Sequence, residues 1–102
     1  METMTKRLLK GATSMVVLAK SQYGTPEPCI EVRFPTEVGY RARSAALHAL
    51  AAEVEARTER SDTWCVQLED GNYESGRVWL ELVDGTDAEA GRGMALLRRV
   101  IA

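Results

Sequence analysis

The chain has 102 residues, a mass of 11.3 kDa and a net charge of −2, with 45% hydrophobic and 27% charged residues. This length suits one domain around one core, and the composition excludes a disordered or fibrous chain. We therefore expect a single domain over residues 1–102, with an N-terminal extension (1–12) followed by two structural units (13–58 and 59–102).

The sequence disfavours both membrane insertion and secretion. Its longest apolar run, around residues 14–19, is far shorter than the roughly 20 residues that span a bilayer. Lys20 ends this run, and no small-residue cleavage site follows. Cys29 and Cys65 lack metal-binding spacing and are too few for a secreted disulfide scaffold. We expect a cytoplasmic protein with reduced thiols, no resident metal and no cofactor.

The first unit contains two strands and a helix. Residues 13–20 (TSMVVLAK) are β-branched and apolar, and turn-forming residues follow them, which predicts a strand entering a hairpin. Residues 29–34 (CIEVRF) alternate apolar and charged side chains, the period of a half-buried strand. Pro35 ends this strand, and the Ala-rich residues 37–57 predict a long helix with Thr36 at its N-cap.

The second unit repeats this order. Residues 63–68 (TWCVQL) and 77–83 (RVWLELV) alternate in the same way and are separated by a turn. Thr86 and Glu89 form a capping box that predicts a helix running to the end of the chain. A shift of 50 positions aligns the two units with about nine identities, which favours an internal repeat.

Two such units predict a two-layer α+β sandwich. Both helices are expected to cover the same side of one four-stranded sheet. Strand orders 1-2-4-3 and 2-1-3-4 both fit a pseudo-twofold relation, and the first agrees better with a right-handed crossover. We expect this ββαββα arrangement, with an antiparallel-type mixed sheet in which neighbouring strands are antiparallel, to resemble a circularly permuted ferredoxin-like fold. Cys29 and Cys65 would then lie two strands apart, too far for a disulfide.

The sheet face opposite the helices, here named the open face, is the candidate functional surface. Alternation predicts that it is rich in apolar side chains, and such a face in a globular protein indicates an interface. We expect a homodimer with Trp79 as its aromatic anchor. The expected interface residues are Trp79, Met15, Val17, Val83, Cys65 and Arg33. The alternative is that residues 1–11 fold back and cover this face.

A small-ligand or cofactor-free enzyme on a dimeric ferredoxin-like scaffold is a second hypothesis. It would require a pocket between sheet and helices, lined by Trp64, Trp79, Tyr40 or Tyr73. His48 is the only histidine and lies off the centre of the apolar stripe of its helix, so we expect an ordinary exposed or boundary residue. No catalytic residue is predicted.

Nucleic-acid binding is a third hypothesis. Trp79 on a central strand suits base stacking, but the acidic residues predicted beside it would repel phosphates. The better basic candidates are the helix arginines Arg41, Arg43, Arg92, Arg98 and Arg99. Solvated surface is the more common role of such residues, and the net charge of −2 disfavours a dedicated nucleic-acid binder.

One segment carries a family resemblance. Residues 91–97 (GRGMALL), which follow a predicted strand, resemble the acetyl-coenzyme A phosphate-binding segment of GNAT acetyltransferases. That resemblance implies a pyrophosphate site on the free backbone N–H groups of a helix start. The capping box at Thr86, however, starts the helix upstream and places Gly91 and Gly93 inside it. We therefore predict that Gly93 serves close packing of the helix against the sheet.

Overall fold

The computed structural model describes residues 3–20, 26–58, 64–70, 75–82 and 87–102. Both predicted strand–strand–helix units are present in the described residues, and a short additional helix precedes them. In chain order the elements are α1 (Met4–Leu8), β1 (Thr13–Lys20), β2 (Pro26–Arg33), α2 (Tyr40–Thr58), β3 (Trp64–Glu69), β4 (Ser75–Leu82) and α3 (Asp87–Ile101).

The four strands form one sheet in the order β1-β2-β4-β3, as predicted. All three strand pairs are antiparallel, which confirms the prediction for neighbouring strands. The physical reason is the position of β4. The crossover through α2 makes β2 and β3 run parallel, but β4 lies between them and pairs antiparallel with both.

Alternate side chains of each strand face the helices and build the core. Ile30 of β2 lies opposite Val78 of β4 in the register, and both are fully buried. A Cβ added at Gly76 of β4 would meet Leu47 of α2, which places α2 against this same face. The core consists of Ile30, Val32, Phe34, Ala46, Leu47, Leu50, Val54, Val78, Leu80, Leu97 and Val100.

Helix α2 begins three residues later than predicted. The Thr36 hydroxyl donates to the carboxylate of Glu37 at 3.2 Å instead of capping the helix. The N–H of Arg43 donates to the carbonyl of Gly39 at 3.0 Å, which is the first helical hydrogen bond of α2. For α3, the predicted capping box at Thr86 and Glu89 lies outside the described side chains.

The N-terminal segment lies on the helix side of the sheet. Helix α1 packs against α2, and Leu9 and Ala12 pack against the core. The alternative in which residues 1–11 cover the open face is therefore wrong for the described part of this segment. Among the described helices, none combines the length and the apolarity needed to cross a bilayer.

Candidate functional site

The open face is built from the odd-numbered residues of the four strands, because the register pairs odd with odd across the sheet. Both α2 and α3 pack on the other side, and no described helix packs on this one. The predicted interface residues that the structure describes all lie here, and Val83 lies outside the described residues. The face carries Thr13, Met15, Val17, Ala19, Glu27, Cys29, Glu31, Arg33, Cys65, Gln67, Glu69, Ser75, Arg77, Trp79 and Glu81.

Trp79 lies on the open face but does not project from it. Its indole N–H donates to Oε2 of Glu69 at 3.2 Å, and the Arg77 guanidinium lies 5.6 Å from the ring centroid. These contacts leave Trp79 only 6% exposed, so the expectation of a protruding aromatic anchor needs correction. The ring is held within the monomer by a hydrogen bond and a cation–π contact, and it forms a fixed floor of the face.

An acidic side chain joins two arginines beside this tryptophan. Glu31 accepts from Arg77 at 3.0 Å and lies 3.4 Å from Arg33. The Arg33 side chain is 73% exposed, so its ion pair contributes little to stability. Most of the hydrogen-bonding capacity of Arg33 is therefore available to a partner, whereas Arg77 is already engaged by Glu31 and by the indole ring.

The β1 side of the face is uncharged. Met15 is 53% exposed, Val17 and Ala19 are half-buried, and Val17 lies opposite Cys29 in the register. We name Met15, Val17 and Ala19, which all belong to β1, the β1 patch. Apolar side chains that adjoin one another on a face that no described helix covers are the type of surface that favours association.

The two cysteines have different environments. Cys29 is fully buried, and burial raises the pKa of its thiol to about 11, so the thiol stays protonated and unreactive at neutral pH. Cys65 is exposed and accepts a hydrogen bond from Gln67 at 3.2 Å. Both thiols are free, and β4 lies between them in the sheet, which confirms the prediction that they do not bridge.

Acidic side chains gather at the end of the face away from Arg33. Glu27 is buried, and its Oε2 has no hydrogen-bond partner among the described residues. Burial, and secondly the repulsion of Glu81, raises the pKa of Glu27. Extending the Cys29↔Trp79 register by two residues places Glu27 beside Glu81. Among the described residues of the open face, the arginines lie at the other end, where Arg33 and Arg77 are paired with Glu31.

The aromatic side chains predicted to line an enzyme pocket do not converge among the described residues. Trp64 lies opposite Leu82 on the helix side, whereas Trp79 lies on the open face, so the sheet separates the two rings. Tyr40 is 65% exposed at the start of α2, and Tyr73 lies outside the described residues. Nothing in the described geometry brings these aromatic side chains around one ligand.

His48 is exposed on α2, as predicted. Its Nδ1 lies 2.8 Å from the Ser44 carbonyl oxygen and 3.3 Å from the Ser44 hydroxyl. Since only a protonated Nδ1 can donate to the carbonyl, this nitrogen is not a base for the hydroxyl. Ser44 and His48 are four residues apart on a helix, and this spacing could have predicted from the sequence that their side chains are neighbours. The described part of the chain contains no cluster of three potential metal ligands.

The two glycines of α3 lie inside the helix, as predicted. A Cβ at Gly93 would lie 2.9 Å from the Pro28 ring and 2.9 Å from the Trp64 ring, whereas a Cβ at Gly91 would meet nothing within 4 Å. Gly93 therefore serves close packing. In an α-helix that begins at Asp87, the N–H groups of both glycines are used by the helix itself, so the likeness to the acetyl-coenzyme A segment does not extend to its anion site.

The helix arginines do not all belong to the surface. Arg43 is buried, with its guanidinium 5.8 Å from the centroid of the Tyr40 ring, so it is not available to a nucleic acid. Arg41, Arg98 and Arg99 are exposed. The expected set of basic helix residues therefore loses one member to an internal contact.

These features define a two-layer α+β domain with one sheet face that no described helix covers. Comparison with protein-family models, curated proteins and solved structures finds no match to the chain. The functional interpretation accordingly rests on the open face and its chemistry.

Proposed function

We propose that this domain is a small assembly module that forms a homodimer through its open face, with the β1 patch as part of the contact. The observation that carries the proposal is the exposure of Met15 at 53% beside Val17 and Ala19, on a face that no described helix covers. Burying such a surface against a partner removes apolar area from water, which favours association.

The size of the face supports a partner of the same size. Four strands of about 4.8 Å spacing and about eight residues each give a flat area of about 500 Å² per protomer, or about 1,000 Å² for two faces, which reaches the lower limit of stable interfaces. The β1 patch alone is much smaller than this. The contact must therefore involve most of the face, as two stacked sheets do.

The charge distribution supports a second copy as the partner. Consider a twofold axis that lies between the two stacked sheets, parallel to their planes and perpendicular to the strands. This axis would place the Arg33 end of one protomer over the Glu27 and Glu81 end of the other. Arg33 is 73% exposed, and Glu81 is half-buried, so each has surface to offer. Such an isologous contact would repeat every favourable charge pair twice.

The test is the mass in solution as a function of protein concentration, measured by sedimentation or light scattering. Met15→Glu places a charge in the β1 patch and is expected to raise the dissociation constant at least tenfold. Ala45→Glu is the matched control, because Ala45 is exposed on α2, on the other side of the sheet. Trp79 is a poorer target, since it is buried in the monomer and a charged residue in its place would disturb the fold.

The proposal requires the wild type and Ala45→Glu to dimerise with similar affinity while Met15→Glu dissociates. A wild type that stays monomeric at high concentration, or a Met15→Glu variant that dimerises as the wild type does, would overturn it.

The free thiols support a reducing compartment as the place of action, and we propose the cytoplasm. Cys65 is exposed and unpaired, a condition that persists more easily where thiols are kept reduced. The strand order also supports interpreting the architecture as a permuted ferredoxin-like arrangement with an internal repeat.

A further inference from the structure

Strand β1 leaves one row of its backbone groups without a partner. It lies at the edge of the sheet and pairs with β2 along its whole length, from Thr13↔Arg33 to Lys20↔Pro26. In an antiparallel ladder, alternate residues direct both N–H and C=O away from the neighbouring strand. No hydrogen bond from another described residue reaches these outward groups.

The edge also lacks the features that usually prevent pairing. Residues 13–19 contain no charge and no proline, and Lys20 is the only charged residue of the strand. The register with β2 is continuous, so no bulge twists the edge away. The other edge strand, β3, is shorter and ends in Glu69. A long, uncharged and regular edge is a template for another strand.

Side-chain exposure distinguishes the edge from the open face. Met15 is 53% exposed on the open face, and Leu18 is 52% exposed on the helix side of the same strand. A partner stacked on the open face would cover Met15 and leave Leu18 in water. A strand added along the edge would contact both side chains, because its own residues alternate between the two faces.

We infer that β1 pairs antiparallel with β1 of a second copy, about a twofold axis perpendicular to the sheet, to form a continuous eight-stranded sheet. Lys20 stands at one end of the strand, so antiparallel pairing keeps the two lysines far apart. The centre of the strand is Val16 and Val17, and β-branched side chains suit cross-strand pairing.

The preference for a second copy rests on the proposed function. One edge strand buries less area than a stable interface needs, whereas a second copy also brings a coplanar open face. The twofold axis of the edge contact is perpendicular to the sheet, and the twofold axis of the face contact lies between the stacked sheets. Because these two axes are perpendicular to each other, both contacts together are compatible with a closed assembly of four chains.

Two variants separate the edge contact from the face contact by solution mass. Leu18→Glu changes the edge on the helix side, and Arg33→Glu changes the open face on β2, one strand inside the β1 edge. If both contacts exist, the wild type is larger than a dimer and each variant stops at a dimer.

If Leu18→Glu assembles as the wild type does, the edge inference is overturned while the proposed face dimer stands. If Leu18→Glu is monomeric and Arg33→Glu assembles as the wild type does, the edge inference stands and the face proposal fails. A monomeric wild type overturns both.

Cysteine cross-linking tests the edge by a second measurement. In a Cys65→Ser background, cysteine is placed in turn at Ser14, Val16 and Leu18, which all lie on the helix side of β1, and the variants are oxidised singly and in pairwise mixtures. Edge pairing brings at least one combination within disulfide reach and yields a covalent dimer. Face stacking keeps all three positions on outer sides of the assembly. Absence of covalent dimer in every combination would overturn the edge contact.

Discussion

The close approach of α3 to the sheet at Gly93 gives a quantitative prediction. Replacing a helical glycine by alanine stabilises an exposed position by about 1 kcal/mol, and Gly91 offers such a position because an added Cβ would meet nothing within 4 Å. At Gly93 the added Cβ would lie 2.9 Å from Pro28 and from Trp64, and overpacking of this kind costs about 1–3 kcal/mol. We expect Gly91→Ala to be more stable than Gly93→Ala by about 2 kcal/mol.

The assay is urea unfolding of the wild type and the two variants at one low protein concentration, followed by circular dichroism. A common concentration is needed because association would add to the apparent stability. Fluorescence gives a second signal, since Trp64 contacts the substituted position. The dependence of the unfolding free energy on urea should have the same slope in all three proteins, so the midpoints alone report the difference.

The reasoning would be refuted by a Gly93→Ala variant as stable as Gly91→Ala. That result would mean that the Trp64 ring moves aside at no cost, and the close-packing role of Gly93 would be lost. Destabilisation by both variants would instead show that Gly91 has a contact beyond those described.

Two further predictions concern titratable groups. The pKa of Glu27 is raised above its ordinary value of 4.5, so the ionised carboxylate destabilises the folded state. Below pH 4.5 the protonated carboxyl contributes favourably to the free energy of unfolding, and this contribution is lost as the pH rises through the raised pKa. Glu27→Gln should therefore raise the unfolding free energy by about 1 kcal/mol at pH 7.5, and urea titrations should show the gain vanish at pH 4; a constant gain would contradict the burial argument. For the thiols, a colourimetric thiol reagent at pH 8 should modify Cys65 quickly and Cys29 only after unfolding, and Cys65→Ser should abolish the fast phase; a fast phase in that variant would show that Cys29 is accessible.

The strands and their faces follow from local patterns, which is why they could be predicted. Residues 13–20 form β1 with the predicted bounds, because a short β-branched run between a glycine and residues of turn-forming type has few other stable conformations. Alternation of apolar and polar residues assigned Met15, Trp79 and Arg33 to the correct face. The strand order followed from the pseudo-twofold relation of the two units and the right-handed crossover between them.

The features that could not be predicted depend on contacts distant in sequence. Trp79 is buried because Glu69 and Arg77 converge on its ring, and alternation places these residues on the same face without showing that they meet. Helix α1 has only five residues, too short for a periodic signal. Glu27 was missed because β2 begins at Pro26, and a proline, which cannot donate a ladder hydrogen bond, argues against a strand in the sequence.

The sheet separates the two tryptophans, so each one samples a different environment. Trp64 touches α3 at Gly93, and Trp79 sits among Glu69 and Arg77 on the opposite side. Replacing one or the other by phenylalanine would leave a single emitter on a chosen side. The fluorescence of Trp64 would then report loosening of the helix layer. The fluorescence of Trp79 would report the binding of a partner to the open face, under the same conditions.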